Sequence, residues 1–242
     1  MTDQKDRVYS EPLSTIDAFQ FDAAVADVFQ DMIERSVPGY GLILQMIGSL
    51  AERFALVGSN VYDLGCSLGA STLQLRRHVP ATCHVIGVDN SSAMLDRCKA
   101  NMARDHSAAS YELLLDDLRM TSIENASMVV LNFTLQFVPD EERLPILKRI
   151  ADGMLPGGVL LLAEKVRFDS EPEQNLMIEL HHDFKRYQSY SDLEIAQKRS
   201  ALENVLVPNS SAEHIERLTS AGFTSQQQCV RCLNFEAFLA IR

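Results

Sequence analysis

Four acidic or amide residues each follow a short apolar run in this sequence of 242 residues, namely Asp63, Asp89, Asp117 and Asn132. Their side chains accept hydrogen bonds from hydroxyl and amino groups, which are the polar groups of a nucleoside. Asp89 follows Asp63 by 26 residues (89 − 63), about one strand–helix–strand repeat, where a carboxylate can accept both hydroxyls of a ribose. Each residue taken singly is an ordinary strand-end cap, whereas the four in register predict a nucleoside-binding edge.

A glycine-bearing turn follows the first of these carboxylates. Residues 61–64 have the β-branched and aromatic content of a strand, and residues 65–69 (GCSLG) permit a tight turn with close backbone approach. An amphipathic helix begins at once over residues 70–77. Such a turn directs backbone N–H groups and the positive end of a helix dipole at a ligand. By itself the motif is equally compatible with a plain strand-to-helix turn.

Arg199 is the candidate for binding a carboxylate. Residues 191–194 (SDLE) form a capping box that starts a helix. The predicted apolar stripe of that helix consists of Ile195, Leu202 and Leu206. Arg199 falls within about 40° of the centre of the stripe, and Lys198 falls nearer its edge. An arginine on a buried face is costly unless a carboxylate or phosphate meets it, and from the residues alone an internal or intersubunit ion pair is the favoured interpretation.

The elements that must position these residues alternate between strand and helix. Strands are predicted over residues 61–64, 84–88, 111–115, 127–132 and 159–163, with helices over 70–77, 91–103 and 139–154 between them. Two further strands, over 227–233 and 235–241, close the chain antiparallel after a helix capped at Ser210 or Ser211. We therefore expect one α/β domain over residues 1–242, built on a doubly wound, mostly parallel seven-stranded sheet.

Two helical regions lie outside this alternation. Residues 21–54 predict two N-terminal helices, and residues 165–208 predict a helical insertion after the fifth strand. Residues 1–20 are compatible with either a tail or an ordered arm. Within the insertion, His181 and His182 point about 100° apart, so at most one can face a ligand, and structural roles are favoured for both. Tyr187 and Tyr190 either line a lid or anchor it in the core.

Composition excludes several classes of function. The net charge of −11, without a basic run, argues against direct binding of nucleic acid. Five cysteines, an odd number in apolar segments, fit a reducing cytoplasm. Cys229 and Cys232 lie three apart in a predicted strand and so face opposite sides, which disfavours a metal or redox role. We find no signal peptide and no apolar run of the about 20 residues that span a bilayer.

These residues resemble class I S-adenosylmethionine-dependent methyltransferases, whose fold is Rossmann-like. The resemblance covers about residues 55–240 and is carried by residues 63–69 (DLGCSLG), by Asp89 and Asp117, and by residues 156–158 (PGG) and 221–223 (AGF). One departure is visible, since Ser67 stands where that superfamily usually has its middle glycine.

A narrower resemblance spans nearly the whole chain, and Ser67 is the expected residue in it. The sequence is similar to the carboxy-S-adenosyl-L-methionine synthase family at residues 36–40 (SVPGY), 63–67 (DLGCS), 125–137 (NASMVVLNFTLQF), 181–186 (HHDFKR) and 197–200 (QKRS). The resemblance implies a homodimeric, cytoplasmic transferase that takes a carboxyl group from prephenate, releases phenylpyruvate and converts S-adenosylmethionine to carboxy-S-adenosylmethionine. A partner enzyme would use that product to modify the wobble uridine of tRNA.

The same resemblance implies the ligand residues. By position they are Tyr40, Gly65, Cys66, Ser67, Asp89, Asn90, Asp117, Leu118, Asn132 and Arg199. Arg199 would bind the added carboxylate of the product, and no metal is implied. The insertion would serve as a lid and as the dimer contact. No general base is identified. The implied reaction asks little of acid–base residues, since it depends on holding the reactants together and excluding water from a sulfonium ylide that captures CO2.

Two other functions remain open from the sequence. One is an ordinary methyltransferase acting on a small molecule or tRNA. The other is a non-catalytic nucleoside-binding scaffold built on the same fold, which requires the ligand positions to be occupied by chance.

Overall fold

Seven strands form a single sheet in the computed structural model, which describes residues 5–242. In chain order they are β1 (Asn60–Leu64), β2 (His84–Asp89), β3 (Ser110–Leu115), β4 (Ala126–Asn132), β5 (Met154–Lys165), β6 (Ser225–Cys232) and β7 (Phe235–Ile241). Their order across the sheet is β3-β2-β1-β4-β5-β7-β6. Strand β7 pairs antiparallel with β5 and β6, and the other pairs are parallel, which confirms the predicted fold class.

Eight α-helices accompany the sheet within the described part of the chain. They are α1 (Ala23–Ser36), α2 (Tyr40–Phe54), α3 (Ala70–His78), α4 (Ser92–Met102), α5 (Asp140–Gly153), α6 (Glu171–Tyr187), α7 (Asp192–Leu202) and α8 (Ser211–Ser220). Ser91, at the start of the helix predicted over residues 91–103, and Ser210, one of the two predicted caps of the later helix, both accept a hydrogen bond from the first helical turn. These hydroxyls fix the starts of α4 and α8, as expected from the sequence.

The apolar core lies on both faces of the sheet, which explains why β4 is an almost continuous apolar run. Met128 and Val130 point into one buried cluster, while Val129 and Leu131 point into the other. Helix α5 covers the second face, and α2 covers the first. A parallel strand covered on both sides has no solvent-facing positions, so the alternation of polar and apolar residues disappears.

Strand β5 begins earlier than its sequence predicts. The sequence indicates a turn at residues 156–158 and a strand from Val159, whereas the structure already pairs Met154 with Ala126. The register shifts before Val159 pairs with Met128, and Gly157 has a φ of 79°. The proline–glycine sequence therefore forms a bulge within the strand rather than a turn before it.

The N-terminal arm, which the structure describes from residue 5, packs against the helical insertion. The buried carboxylate of Asp6 accepts a hydrogen bond from Tyr190 Oη at 2.5 Å. The backbone N–H of Phe19 donates to the carbonyl of Ala201 in α7 at 3.0 Å. Tyr190 thus anchors the insertion, whereas Tyr187 is 86% exposed. Residues 1–4, which belong to the segment 1–20 predicted to be either a tail or an arm, lie outside the described residues.

The predicted buried face of α7 is wrong, although its capping box is present. The helix ends at Leu202, so Leu206 is not part of the stripe on which the expectation for Arg199 depended. The buried face passes instead through Ile195, Lys198 and Ala201, and it leaves Arg199 exposed. Because Ile195, Lys198 and Ala201 follow one another at intervals of three residues, they lie on one side of the helix, and Lys198 rather than Arg199 packs against the core.

Between residues 5 and 242, no helix is long and apolar enough to cross a membrane.

Candidate substrate-binding site

The turn after β1 is held in a left-handed conformation by its neighbours. The N–H groups of Gly65 and Cys66 both donate to the carbonyl of Val88, at 2.8 and 2.9 Å. Gly65 has a φ of 81°, and a Cβ at this position would collide with the side chain of Thr134. Glycine is therefore required because the turn approaches the loop after β4 closely, which brings two strand ends to one site.

Asp89 braces the same turn from the end of β2. Its Oδ2 accepts a hydrogen bond from Ser67 N–H, and its Oδ1 accepts one from Ser91 N–H, both at 2.8 Å. Ser67 is a non-glycine residue with a φ of 49°, and the bond to Asp89 stabilises this conformation. Burial raises the pKa of Asp89, while the backbone donors oppose that rise. The carboxylate retains lone pairs that face the cavity described below and can accept ribose hydroxyls.

Asp63 has a different role from Asp89. It is buried, accepts a hydrogen bond from Thr72 Oγ1 at 2.6 Å, and is not among the residues that line the cavity. Burial is the main cause that raises its pKa to about 7, and the Thr72 hydroxyl opposes this effect. Asp63 therefore ties β1 to α3 and supports the turn from behind.

Asn132, at the end of β4, presents an unsatisfied acceptor. Its Nδ2 donates to Ser71 Oγ in α3 at 3.0 Å, while its buried Oδ1 has no hydrogen-bond partner within residues 5–242. A buried polar atom without a partner is costly, so its presence beside a cavity indicates a place for a ligand donor. The ammonium group of an amino acid would satisfy it.

Asp117 and Leu118 line the side of the site nearest β3. The carboxylate of Asp117 forms an ion pair with Arg119 at 2.6 Å, and this contact is the main cause that lowers its pKa. Asp117 is therefore held ionised, with its side chain engaged by Arg119. Asn90 lies in the same wall, immediately after β2.

One cavity of about 800 Å³ brings these residues together. Nine of the ten ligand residues expected from the sequence line it: Tyr40, Gly65, Cys66, Ser67, Asp89, Asn90, Asp117, Leu118 and Asn132. Arg199 does not line the cavity, since it lies on the exposed side of α7. Its charge nevertheless acts on Lys165, whose pKa is lowered first by burial and then by Arg199.

An aromatic wall that the sequence did not predict continues the cavity beyond Tyr40. The ring of Phe133 lies 6.5 Å from that of Tyr40 and 5.8 Å from that of Phe235, between centroids. Phe235 in turn contacts His181, with 4.9 Å between ring centroids. The position of Phe133 directly after Asn132, at the end of a strand, could have predicted that it lies near the site. Nothing in the sequence places Phe235 beside Phe133.

His181 lines the cavity and also has a structural bond. Its Nε2 is 2.8 Å from the carbonyl oxygen of Ser36, and burial is the main cause that lowers its pKa to about 2. The ring is therefore neutral. His182 is half-buried and does not line the cavity, so no more than one of the pair faces it, as expected.

Three lysines line the same region of the cavity: Lys165 from the end of β5, Lys185 from α6 and Lys198 from α7. Sequence reasoning noted only the last of these. Lys185 follows His181 by one helical turn, and this spacing is the signal that could have placed both on one face.

None of the five cysteines forms a disulfide. All five are free thiols, and Cys229 and Cys232 are half-buried on β6. Across residues 5–242, no cluster of three or more histidine, cysteine or acidic side chains could hold a metal ion.

Comparison with known proteins gives full-length relatives. A methyltransferase-domain family model matches residues 61–158. The carboxy-S-adenosyl-L-methionine synthase of Hahella chejuensis is 52% identical over 248 residues, with 100% of both chains covered. The protein of the same name from Trichlorobacter lovleyi is 52% identical over 244 residues, again with 100% of both chains covered.

Solved structures share the fold at low sequence identity. An O-methyltransferase family protein from Burkholderia thailandensis has a TM-score of 0.64 at 15% identity, covering 90% of this chain and 58% of that chain. Human N-acetylserotonin methyltransferase in complex with SAM has a TM-score of 0.62 at 16% identity, and the match covers 91% of this chain and 55% of that chain.

The sheet order, the glycine turn and the strand-end polar residues define an enzyme with the class I S-adenosylmethionine-dependent methyltransferase fold. Within that class, the family follows from relatives that share about half of their residues with this chain over its full length. The chain belongs to the carboxy-S-adenosyl-L-methionine synthase family.

Proposed function

We propose that this protein converts S-adenosylmethionine and prephenate to carboxy-S-adenosylmethionine and phenylpyruvate. The observation that carries the proposal is one cavity with two chemically different halves. Polar residues at the strand ends, including Asp89 and Asn132, suit the nucleoside and amino-acid parts of S-adenosylmethionine. The aromatic wall and the lysines beyond it suit a ring-bearing acid.

The site residues fit S-adenosylmethionine as a substrate. Asp89 supplies an acceptor for ribose hydroxyls, and the unsatisfied Oδ1 of Asn132 supplies one for the ammonium group. The aromatic rings of Tyr40 and Phe133 provide faces on which a cation is stabilised, as a sulfonium requires. Burial, followed by the charge of Asp63, raises the pKa of Tyr40, so its hydroxyl stays neutral.

The proposed reaction is balanced without an oxidant. Loss of CO2 and hydroxide from prephenate gives the aromatic ring of phenylpyruvate. The methyl group next to the sulfonium loses a proton to that hydroxide, forming water, and the resulting ylide carbon forms a bond to CO2. The protein must hold the reactants together and keep water from the ylide. The half-buried and buried side chains of α6 and α7 that face the cavity would provide this exclusion.

We further propose that Arg199 binds the carboxylate of the product, although in a single chain it lies outside the cavity lining. Its location on the exposed side of α7, close to Lys165, supports a role at the mouth of the site. Arg199→Ala should weaken binding of carboxy-S-adenosylmethionine far more than binding of S-adenosylmethionine. Equal weakening of both in calorimetric titrations would contradict this role.

A homodimer through the insertion is part of the proposal. Leu176, Leu180 and Tyr187 of α6 are 49%, 37% and 86% exposed, and their spacing places them on one side of the helix. An apolar strip of this kind favours association with a second copy. Sedimentation of Leu180→Asp as a monomer, beside a dimeric unsubstituted protein, would support it, whereas an unchanged dimer would contradict it.

The product would then serve a second enzyme that transfers the carboxymethyl group to the wobble uridine of tRNA. The net charge of −11 favours production of a small metabolite over direct tRNA binding. The five free thiols are compatible with the cytoplasm, where that tRNA is found.

Product analysis tests the proposed activity against the alternative of ordinary methyl transfer. Purified protein is incubated with S-adenosylmethionine and tRNA, with or without prephenate, and the products are analysed by mass spectrometry. We expect a species heavier than S-adenosylmethionine by one CO2, formed only with prephenate and together with phenylpyruvate. Formation of S-adenosylhomocysteine alone in the presence of prephenate and tRNA would contradict the proposal.

A further inference from the structure

Two lysines that line the cavity, Lys165 and Lys185, lack an acidic partner among the described residues. Lys185 is 8% exposed, and Lys165 lies beside it at the end of β5. Neither forms an ion pair with any carboxylate of residues 5–242 within 4.0 Å. The third lysine of this wall is different, because Lys198 lies 3.8 Å from the carboxylate of Asp6 and donates to Ser36 Oγ.

The environment of Lys185 makes its charge costly. Burial is the main cause that lowers its pKa to about 7, and the charges of Lys198 and Lys165 add to this effect. Asp6 opposes it, but the carboxylate of Asp6 is already engaged by Tyr190 and Lys198. His181, one turn away on the same helix, is neutral and supplies no negative charge. Adjacent buried cations of this kind are stabilised when an anion binds between them.

The aromatic wall indicates what kind of anion this is. The row of rings from Tyr40 through Phe133 and Phe235 ends at His181, and Lys185 follows on the same face of α6. A planar ring lying along this wall would bring a carboxylate on its side chain toward the two ammonium groups. The nucleoside half of the cavity instead carries the acidic Asp89 and Asp117, so the anion belongs to the second substrate.

We propose that Lys165 and Lys185 bind the carboxylate that a ring-bearing acid substrate keeps throughout the reaction. For the acid named under the proposed function, on which this identification rests, it is the carboxylate of the three-carbon side chain. The departing carboxyl group is excluded on chemical grounds. Two ammonium groups paired with it would stabilise the substrate more than the transition state and would slow loss of CO2.

Kinetics and titrations of Lys185→Met test this assignment. Methionine keeps the apolar stem and removes the charge, Lys185→Arg restores a charge, and Lys148→Met removes a charge from an exposed site on α5 that does not line the cavity. We expect Lys185→Met to raise the KM for prephenate and the Kd for phenylpyruvate about tenfold or more, as for a lost charged hydrogen bond. Lys185→Arg should recover part of this loss, and Lys148→Met should match the unsubstituted protein.

Affinity for S-adenosylmethionine, measured by calorimetry on the same variants, provides the decisive comparison. It should remain within about twofold, because the lysines contact the other substrate. Equal weakening of S-adenosylmethionine and phenylpyruvate would overturn the assignment, since the lysines would then hold the methionine carboxylate. An unchanged KM and Kd in Lys185→Met would also overturn it. Lys165→Met, measured in the same way, decides the question if Lys185→Met does not fold.

If the proposed function is wrong, the experiments give a different set of results from those expected if only the lysine assignment is wrong. In that case the unsubstituted protein forms no carboxylated product from prephenate. Titration of phenylpyruvate still tests the site: binding that is lost in Lys185→Met supports a ring-carboxylate site, and absence of binding by the unsubstituted protein overturns it.

Discussion

At the scale of single residues, the site depends on side chains that shape backbone more than on side chains that react. Asp89 holds Ser67 in its left-handed conformation through an N–H bond, and Gly65 permits the turn to approach Thr134. The nucleoside half of the cavity is thereby preorganised before a substrate binds, which reduces the free energy that binding must spend on ordering.

Replacement of Gly65 by alanine should weaken S-adenosylmethionine binding. The new Cβ would collide with Thr134, and the φ of 81° is strained for alanine. Gly58→Ala is the matched control, because Gly58 has a φ of 75° with open space around it. Calorimetry should show a loss of at least about tenfold for Gly65→Ala and little change for Gly58→Ala. Equal affinities in the two variants would show that the collision is harmless.

The residues that belong to strand ends could be predicted, whereas those that meet across the fold could not. Asp89, Asp117 and Asn132 were found because parallel strands bring their carboxyl ends to one edge. Phe235 and Lys185 come from β7 and α6, more than 50 residues further along the chain than Asn132. Their proximity depends on how the insertion packs, for which the sequence pattern carries no signal.

At the scale of elements, the insertion and the N-terminal arm form one packed unit beside the cavity. Gln197 of α7 makes three hydrogen bonds to the arm: its Nε2 donates to the carbonyls of Tyr9 and Glu11, and its Oε1 accepts from Leu13 N–H at 2.7 Å. A buried amide that satisfies three backbone groups fixes the arm to α7.

Gln197→Ala should therefore lower the free energy of unfolding by about 2 kcal/mol, because three backbone groups lose their partners. Urea denaturation measures this loss, and hydrogen exchange at the Leu13 amide should accelerate at the same time. Gln227→Ala, at an exposed position of β6, is the control and should change neither quantity. A Gln197→Ala protein as stable as the control would show that the arm is held by its apolar contacts alone.

At this scale, the prediction of buried helix faces was limited by how well the end of a helix can be located from the sequence. The capping box at Ser191 fixed the start of α7 correctly, but no comparable signal marked its end. Extending the periodicity to Leu206 moved the predicted buried face toward Arg199, whereas the structure buries Lys198 instead. Neighbouring helical positions point about 100° apart, so an error at the end of the helix became an error in which of the two basic residues faces the core.

At the scale of the whole molecule, buried histidines connect stability to pH. His214 packs against Phe238, and neither ring nitrogen has a hydrogen-bond partner among the residues described. Burial is the main cause that lowers its pKa to about 4, followed by the charges of Arg217 and Arg143. Since the ordinary pKa is higher, the stabilising contribution of the neutral ring is complete above about pH 6.5 and is lost as the pH falls toward 4.

His214→Phe should remove this sensitivity. Between about pH 7.5 and about pH 5, the unsubstituted protein should lose about 2 kcal/mol more than the variant in the free energy of unfolding. Urea denaturation at the two pH values measures the difference, and His106→Phe, at an exposed position, is the control. Identical pH dependence in the two variants would mean that His214 is already protonated or solvated in the native protein.

The overall architecture was the most predictable level, because seven strands alternating with helices allow few arrangements. The residues proposed to bind the second substrate were the least predictable, since they come together through contacts between β7, β5 and the insertion. Full-length relatives at 52% identity establish the family of the chain. The chemistry proposed for the cavity follows from that family membership.

The most direct test of that chemistry follows the transferred carbon. Prephenate labelled with carbon-13 in its ring carboxyl group is incubated with the protein and unlabelled S-adenosylmethionine, and the nucleoside product is analysed by mass spectrometry. We predict a carboxylated product that carries the label in the new carboxyl group, together with unlabelled phenylpyruvate. A carboxylated product without the label, or S-adenosylhomocysteine as the sole nucleoside product, would contradict the proposed transfer.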